Sequence, residues 1–235
     1  MDKEKIMDKD SGYSNKNIRR KRTMRYFIEA ASDILNNEGY EKLTTRNVAG
    51  KAGYNSATIY NYFGNFERLI AFAAIKGLKD YAVDLQAQID ENMSHIEKFI
   101  KIWACYFKHS QKSPVIFSIL FTQYGNNPLA FLQEYYEIFP EERQELPKDV
   151  NDIFFEKDFD IRNKLLLHKC AEEGLISEEG IDDIVIMSQF IFEGVLNNSK
   201  KNPELYNLDL FIKYLKHIFM SFNPQLKGVL DSINV

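Results

Sequence analysis

Thr45, Arg46, Ser56, Ala57, Thr58, Tyr60, Asn61 and Tyr62 lie close together in TRNVAGKAGYNSATIYNYFGNF, residues 45–66. They are small, hydrogen-bonding or aromatic, which suits reading the edges of another molecule better than breaking its bonds. Asn61 is able to make a paired contact to adenine, and Ala57 and the Thr58 methyl could meet thymine methyls. Tyr60 and Tyr62 could reach phosphates or simply pack beneath their helix. Just upstream, Lys16, Arg19, Arg20, Lys21, Arg22 and Arg25 form a basic cluster. Read as the start of a helix, these cations oppose the macrodipole, and phosphate is the partner that would favour them. No glycine-rich phosphate loop, nucleophile elbow or paired His–Cys motif stands out. No catalytic residue, cofactor or metal ligand is therefore expected.

Presenting those side chains requires two short helices joined by a tight turn. Val48, Ala49, Ala52 and Ile59 fall inside, Thr45 is a natural N-cap, and Gly53 suits a left-handed turn. Asn55 or Ser56 then opens the second helix. Counted from Thr45, Ala falls fifth, Gly ninth and Ile fifteenth, the register of a helix-turn-helix. A preceding helix buries Phe27, Ala30, Ala31, Ile34 and Leu35 at helical spacing and stops at Gly39. After Gly64, Asn65 caps a long helix through Leu69, Phe72, Leu78, Tyr81 and Leu85, which would link the reading head to the remainder.

Charge agrees with this division. The chain has 235 residues and a net charge of −4, but residues 1–70 hold 13 Lys+Arg against 9 Asp+Glu, and residues 71–235 hold 17 against 25. A basic head on an acidic body suits contact with a polyanion by one part only. No apolar run approaches the ~20 residues that span a bilayer, and the N-terminus lacks the apolar core of a signal peptide. With Cys105 and Cys170 in apolar helical patterns, a reducing cytoplasm is expected, without membrane association. Residues 1–15 are polar and aperiodic and read as a disordered tail.

Beyond the head the pattern is helical throughout, an all-α body with no convincing strand. Four prolines follow a capping residue, at Ser113-Pro114, Asn127-Pro128, Asn202-Pro203 and Asn223-Pro224. Helices are expected near 93–110, 115–121 and 129–139, with a loop over 140–152. Two long helices follow, about 153–173 and 178–198, and a last one about 208–222. The second long helix is apolar around most of its circumference, so a partner subunit is expected to cover it. Trp103, Tyr106, Phe107, Phe117, Phe121, Tyr124, Tyr135, His168 and Phe190 are candidates to line a cavity for an amphipathic or aromatic ligand. His109 and His168 read as hydrogen-bonded rather than metal-bound.

The stretch TTRNVAGKAGYNSATIYNYFGNFERL (44–69), with EGY at 38–40 before it, resembles the TetR/AcrR family of bacterial one-component regulators. EEGLIS at 172–177 stands where such proteins join their two dimerisation helices. The resemblance implies an N-terminal three-helix DNA-binding domain (16–66), a connecting helix (67–90) and a helical ligand-binding and dimerisation domain (91–235). It implies a homodimer through 153–173 and 178–198, reading a palindromic double-stranded operator from successive major grooves. It implies too that an unknown small molecule in the body changes the head spacing, most simply a repressor released by its effector. Thr45, Arg46, Ser56, Ala57, Thr58, Tyr60, Asn61 and Tyr62 then fall at DNA-contact positions; Arg19, Arg20 and Arg22 join them on charge, and Trp103, Phe107, Phe117, Phe121, Tyr124, His168 and Phe190 are the ligand candidates on residue type. The alternative is a constitutive regulator or activator whose body packs solid. Phe66 stands where the family usually has a phosphate-touching Lys, which should make the salt dependence shallower by about two for a dimer.

Overall fold

The computed structural model describes residues 4–121, 128–156 and 159–235, with side chains placed for 15–120, 129–156 and 161–235. In chain order the helices are α1 (Glu4–Asn37), α2 (Thr45–Ala52), α3 (Ser56–Phe63), α4 (Phe66–Lys76), α5 (Lys79–Gln88), α6 (His95–Lys112) and α7 (Pro114–Phe121). They continue as α8 (Leu132–Ile138), α9 (Lys148–Phe155), α10 (Phe159–Glu172), α11 (Ile181–Ser199), α12 (Leu208–Phe222) and α13 (Lys227–Ser232). Short 3₁₀ turns fill several connections, and there is no strand among the described residues. The all-α fold expected from the sequence is what forms.

Two compact units result, one of residues 1–79 and 118–143, the other of residues 80–117 and 144–235. In the first, α1 lays Phe27, Ile28, Ala31 and Ile34 against Val48, Ile59, Phe63, Leu69 and Phe72, all buried. Phe63 joins the layers edge-on, 6.2 Å from Phe27 and 5.8 Å from Phe72. The segment 128–142 packs onto α1 and α4 of this same unit: Phe131 stacks on Phe72 at 5.7 Å, and Arg25 grips Glu141 with two bonds of 2.7 and 2.9 Å. Glu142 is buried and accepts from Lys76 at 2.8 Å and from the Tyr135 hydroxyl. This carboxylate lifts the Tyr135 phenol, already raised by burial. In the second unit, α6 packs Phe99, Ile100, Ala104 and Phe107 against Leu166, Leu167 and Cys170 of α10, Ile184 of α11, and Phe211, Leu215 and Phe219 of α12.

Several boundaries differ from the sequence reading. The long connecting helix over 67–90 is interrupted. Gly77 and Leu78 bond back only three residues, to Ala74 and Ile75 at 3.0 and 2.9 Å, and α5 starts afresh at Lys79. Glycine costs a helix interior about 1 kcal/mol relative to alanine, so the break falls where the helix is weakest. The 153–173 helix is likewise two helices. Glu156 turns extended (φ −65°, ψ 125°) and its carbonyl accepts from the Arg162 guanidinium. Residues 148–152, expected as loop, begin α9 instead. At the N-terminus α1 already runs from Glu4 through the residues read as a tail. Extending an existing helix needs no new nucleus, so good formers such as Glu4, Lys5 and Met7 continue a helix anchored by the packed residues after Met24.

Candidate nucleic-acid interface

The α2–α3 turn is built from caps. Thr44, rather than Thr45, is the N-cap of α2, accepting from the Asn47 amide at 3.2 Å, which leaves Thr45 at the first helical position. Gly53 closes α2 at φ 79°, and the Tyr54 amide reaches back to the Ala49 carbonyl at 2.9 Å, a Schellman-type end that only a residue without a Cβ adopts cheaply. Asn55 then caps α3, accepting from both the backbone and the hydroxyl of Thr58 at 3.0 Å. Val48, Ala49 and Ile59 are buried as the spacing demanded, while Ala52 is half-buried. Lys51 pairs with Asp33 and, at 3.0 Å, with Glu38, tying the end of α2 to α1. The Lys51 ammonium holds the Asp33 carboxyl below its ordinary range, and the two acids hold Lys51 above its own.

Arg46, Ala57, Tyr60 and Asn61 are exposed; Thr45, Ser56, Thr58 and Tyr62 are half-buried. The Ser56 hydroxyl reaches the Thr45 carbonyl at 3.5 Å, joining the two helix starts. The Thr58 hydroxyl is committed to Asn55. What α3 offers outward is therefore uncharged: the small Ala57, the Tyr60 phenol and the Asn61 amide.

The basic cluster proves to be divided in its work. It lies in the middle of α1 rather than at a helix start, so the macrodipole argument for its placement does not apply. Lys21 and Arg25 face the acidic segment, pairing with Glu137 at 3.8 Å and Glu141 at 2.7 Å. Arg20 donates to the carbonyls of Tyr62 (2.8 Å) and Asn61 (3.4 Å) and lies over the Tyr62 ring. It closes the C-terminal end of α3, where carbonyls lack helical partners and a cation opposes the negative pole. Lys16, Arg19 and Arg22 are exposed. Sequence spacing could not distinguish these roles, because they depend on what folds back onto α1.

A family model described as bacterial regulatory proteins, tetR family, matches residues 27–71, spanning the buried face of α1 through α4. The helix-turn-helix segment of this chain is thus of the tetR-family type. The HTH-type transcriptional regulator AlkX of Mycobacterium tuberculosis is 32% identical over 95 residues, 40% of this chain. The match spans 44% of that relative's length. At the level of fold, the structure of RolR in complex with resorcinol aligns at a TM-score of 0.55 and 14% identity, covering 92% of this chain and 96% of that one. A TetR-family protein from Vibrio parahaemolyticus aligns at 0.52 and 15% identity, covering 84% and 96%. The fatty acid degradation regulator FadR from Bacillus halodurans aligns at 0.50 and 16%, covering 86% and 96%.

In the second unit, the residues expected around a ligand separate into groups. Trp103, Phe107 and Phe117 join one aromatic cluster: Phe107 stacks on Phe211 at 5.1 Å, Trp103 meets Phe192 at 5.5 Å, and Phe117 meets Tyr106 at 5.3 Å. Ser188 Oγ is buried with no hydrogen-bond partner among the described residues. His168 and Phe190 stand outside this interior. His168 is exposed and pairs with Glu178 at 2.6 Å, and Phe190 is 70% exposed on α11, because a helix apolar on several faces turns only one of them inward. Phe121 lies in α7, its side chain beyond those placed, and Tyr124 is outside the described residues. Among the described residues no helix is long and apolar enough to cross a membrane.

Proposed function

We propose that this chain is a cytoplasmic, sequence-specific transcriptional regulator that reads double-stranded DNA with α3 as a homodimer. The observation that carries it is the capped α2–turn–α3 unit with Arg46, Ala57, Tyr60 and Asn61 outward on a buried scaffold. Residues 16–66 read, 67–90 carry the response, and 91–235 bind effector and partner. The dimer forms through α10 and α11, where Ile161, Ile186 and Phe190 expose apolar surface. Two α3 helices at ~34–36 Å then meet successive major grooves of a palindrome, with Thr45, Ser56, Thr58, Tyr62, Arg19 and Arg22 contributing around them.

The effector in this reading is a small amphipathic or aromatic molecule that releases a repressor. The fully buried Ser188 hydroxyl, without a hydrogen-bond partner among the described residues, supports a ligand that brings its own polar group. So does the fold shared with RolR, solved with resorcinol bound. A second reading, a regulator without an effector, draws on the close ring contacts of Trp103, Phe107 and Phe211, which fill that part of the interior with side chains.

Footprinting of the full chain on the DNA flanking its own gene tests the central claim. Protection of a palindromic site, lost in Asn61→Ala, is expected; no protection at any low-salt condition refutes it. Native mass spectrometry of the protein from its host then separates the two readings, since a co-purifying small molecule supports the first.

A further inference from the structure

Cys105 and His109 are four residues apart on α6, so they share one face of that helix, and Asp84 of α5 meets them there. His109 Nε2 lies 2.7 Å from a carboxylate oxygen of Asp84. The three donor atoms, thiol, imidazole and carboxylate, all lie within 4.8 Å of one another. All three residues belong to the second unit. We infer that Asp84, Cys105 and His109 form a binding site for a single borderline-soft divalent transition-metal ion, with Zn²⁺ as its type.

The donor set selects the ion class. Calcium and magnesium take oxygen cages, whereas a sulfur, an imidazole nitrogen and one carboxylate suit Zn²⁺ and its spectroscopic substitute Co²⁺. Ligands about 2.0–2.3 Å from a tetrahedral ion are roughly 3.3–3.8 Å from each other. The present spacing is within a small side-chain adjustment of that: Asp84 moves slightly off His109 as both turn to the ion. The charge closes as well. As ligands, one carboxylate and one thiolate supply two negative charges, which one divalent ion cancels.

The surroundings favour this use over a plain ion pair. Cys105 is fully buried and His109 nearly so, while Asp84 is exposed and provides the approach. The rings of Tyr81 and Phe117 pack on His109 with centroids at 5.6 and 6.3 Å, fixing the plane of the imidazole. The thiol's hydrogen bond, to the Tyr81 carbonyl at 3.9 Å, is long, so little is lost when sulfur turns to a metal.

Cobalt titration of the reduced, metal-stripped full chain tests the site. The expected result is one Co²⁺ bound per chain, with a thiolate-to-cobalt charge-transfer absorption and the intense visible bands of a tetrahedral ion, bleached by added Zn²⁺. Cys105→Ser removes the charge-transfer absorption, and Cys170→Ser, altering the other buried thiol, leaves it intact. Asp84→Asn changes an exposed position and keeps the fold, and weakens binding by about 10-fold or more. Absence of the sulfur band in the unaltered chain, its survival in Cys105→Ser, or unchanged affinity in Asp84→Asn overturns the assignment.

Discussion

Replacing Asn55 by alanine probes the point on which presentation of α3 depends. The helix has eight residues, well short of the ~12–15 at which an isolated helix becomes even marginal in water. Its existence rests on packing through Ile59 and Phe63 and on its caps. Asn55 satisfies the Thr58 amide and the Thr58 hydroxyl together, both at 3.0 Å. Losing an N-cap costs about 1 kcal/mol, and a solvent-exposed hydroxyl bond adds only a few tenths because water replaces it. The sum, roughly 1–1.5 kcal/mol, raises the frayed population of α3 about 5- to 13-fold without unfolding a protein of ordinary stability. Hydrogen exchange of the α3 amides is the direct assay. Tryptophan emission is not, since the single tryptophan, Trp103, belongs to the other unit. Asn55→Asp is the informative control: it keeps the acceptor and places a negative charge at a helix start, so exchange stays slow. The same charge opposes phosphate, so DNA affinity falls although α3 is intact. Unchanged exchange in Asn55→Ala, or equal acceleration in both variants, would refute the claim that this cap holds α3.

Other substitutions test neighbouring parts of the argument. Phe66→Lys restores a cation at the first position of α4 and should steepen the log–log salt dependence of DNA binding by ~0.9 per head, nearly two per dimer. Glu142→Gln leaves Lys76, about one-fifth exposed, without its carboxylate. The full penalty for breaking a buried pair is about 3–5 kcal/mol, and partial exposure brings the expected loss to about 2 kcal/mol in urea denaturation. Arg25→Gln tests acid sensitivity. The hydrogen bond from Arg25 holds the Glu141 carboxyl below the ordinary range, so its stabilisation is present above that range and lost as pH falls through the lowered folded value. The gap between the two proteins should therefore close in acid, from less than about 1 kcal/mol because Glu141 is exposed and Arg25 only half-buried; a gap independent of pH would contradict it. Phe190→Asp should yield monomers by light scattering if α11 carries the dimer interface, with helical content unchanged, since this side chain is exposed in the single chain.

Local signals were legible where neighbouring residues alone decide the outcome. The Gly53 turn and the Asn55 and Asn65 caps bond groups only three to five residues apart, so chain order suffices to see them. The buried positions Phe27, Val48 and Ile59 followed from helical period for the same reason. Helix continuity was harder. The pattern Leu78, Tyr81, Leu85 keeps helical spacing across Gly77 and hid a break that glycine alone only hints at. Cys105 and His109 drew no metal reading from the sequence, because a pair on one helix means little until a third donor arrives from another.

By itself, then, the chain's order of residues determined an all-helical protein with a helix-turn-helix near its start, because capping, turn and periodicity energies act within a few residues. The packing of segment 128–142 onto α1 and α4, the commitment of Arg20, Lys21 and Arg25 to partners within their own unit, and the meeting of Asp84 with Cys105 and His109 were decided only by tertiary structure. These pairings join residues between 21 and 116 positions apart, except for Cys105 and His109 themselves. Which charge meets which over such distances is set by how buried apolar faces dock, and no run of sequence carries that information locally.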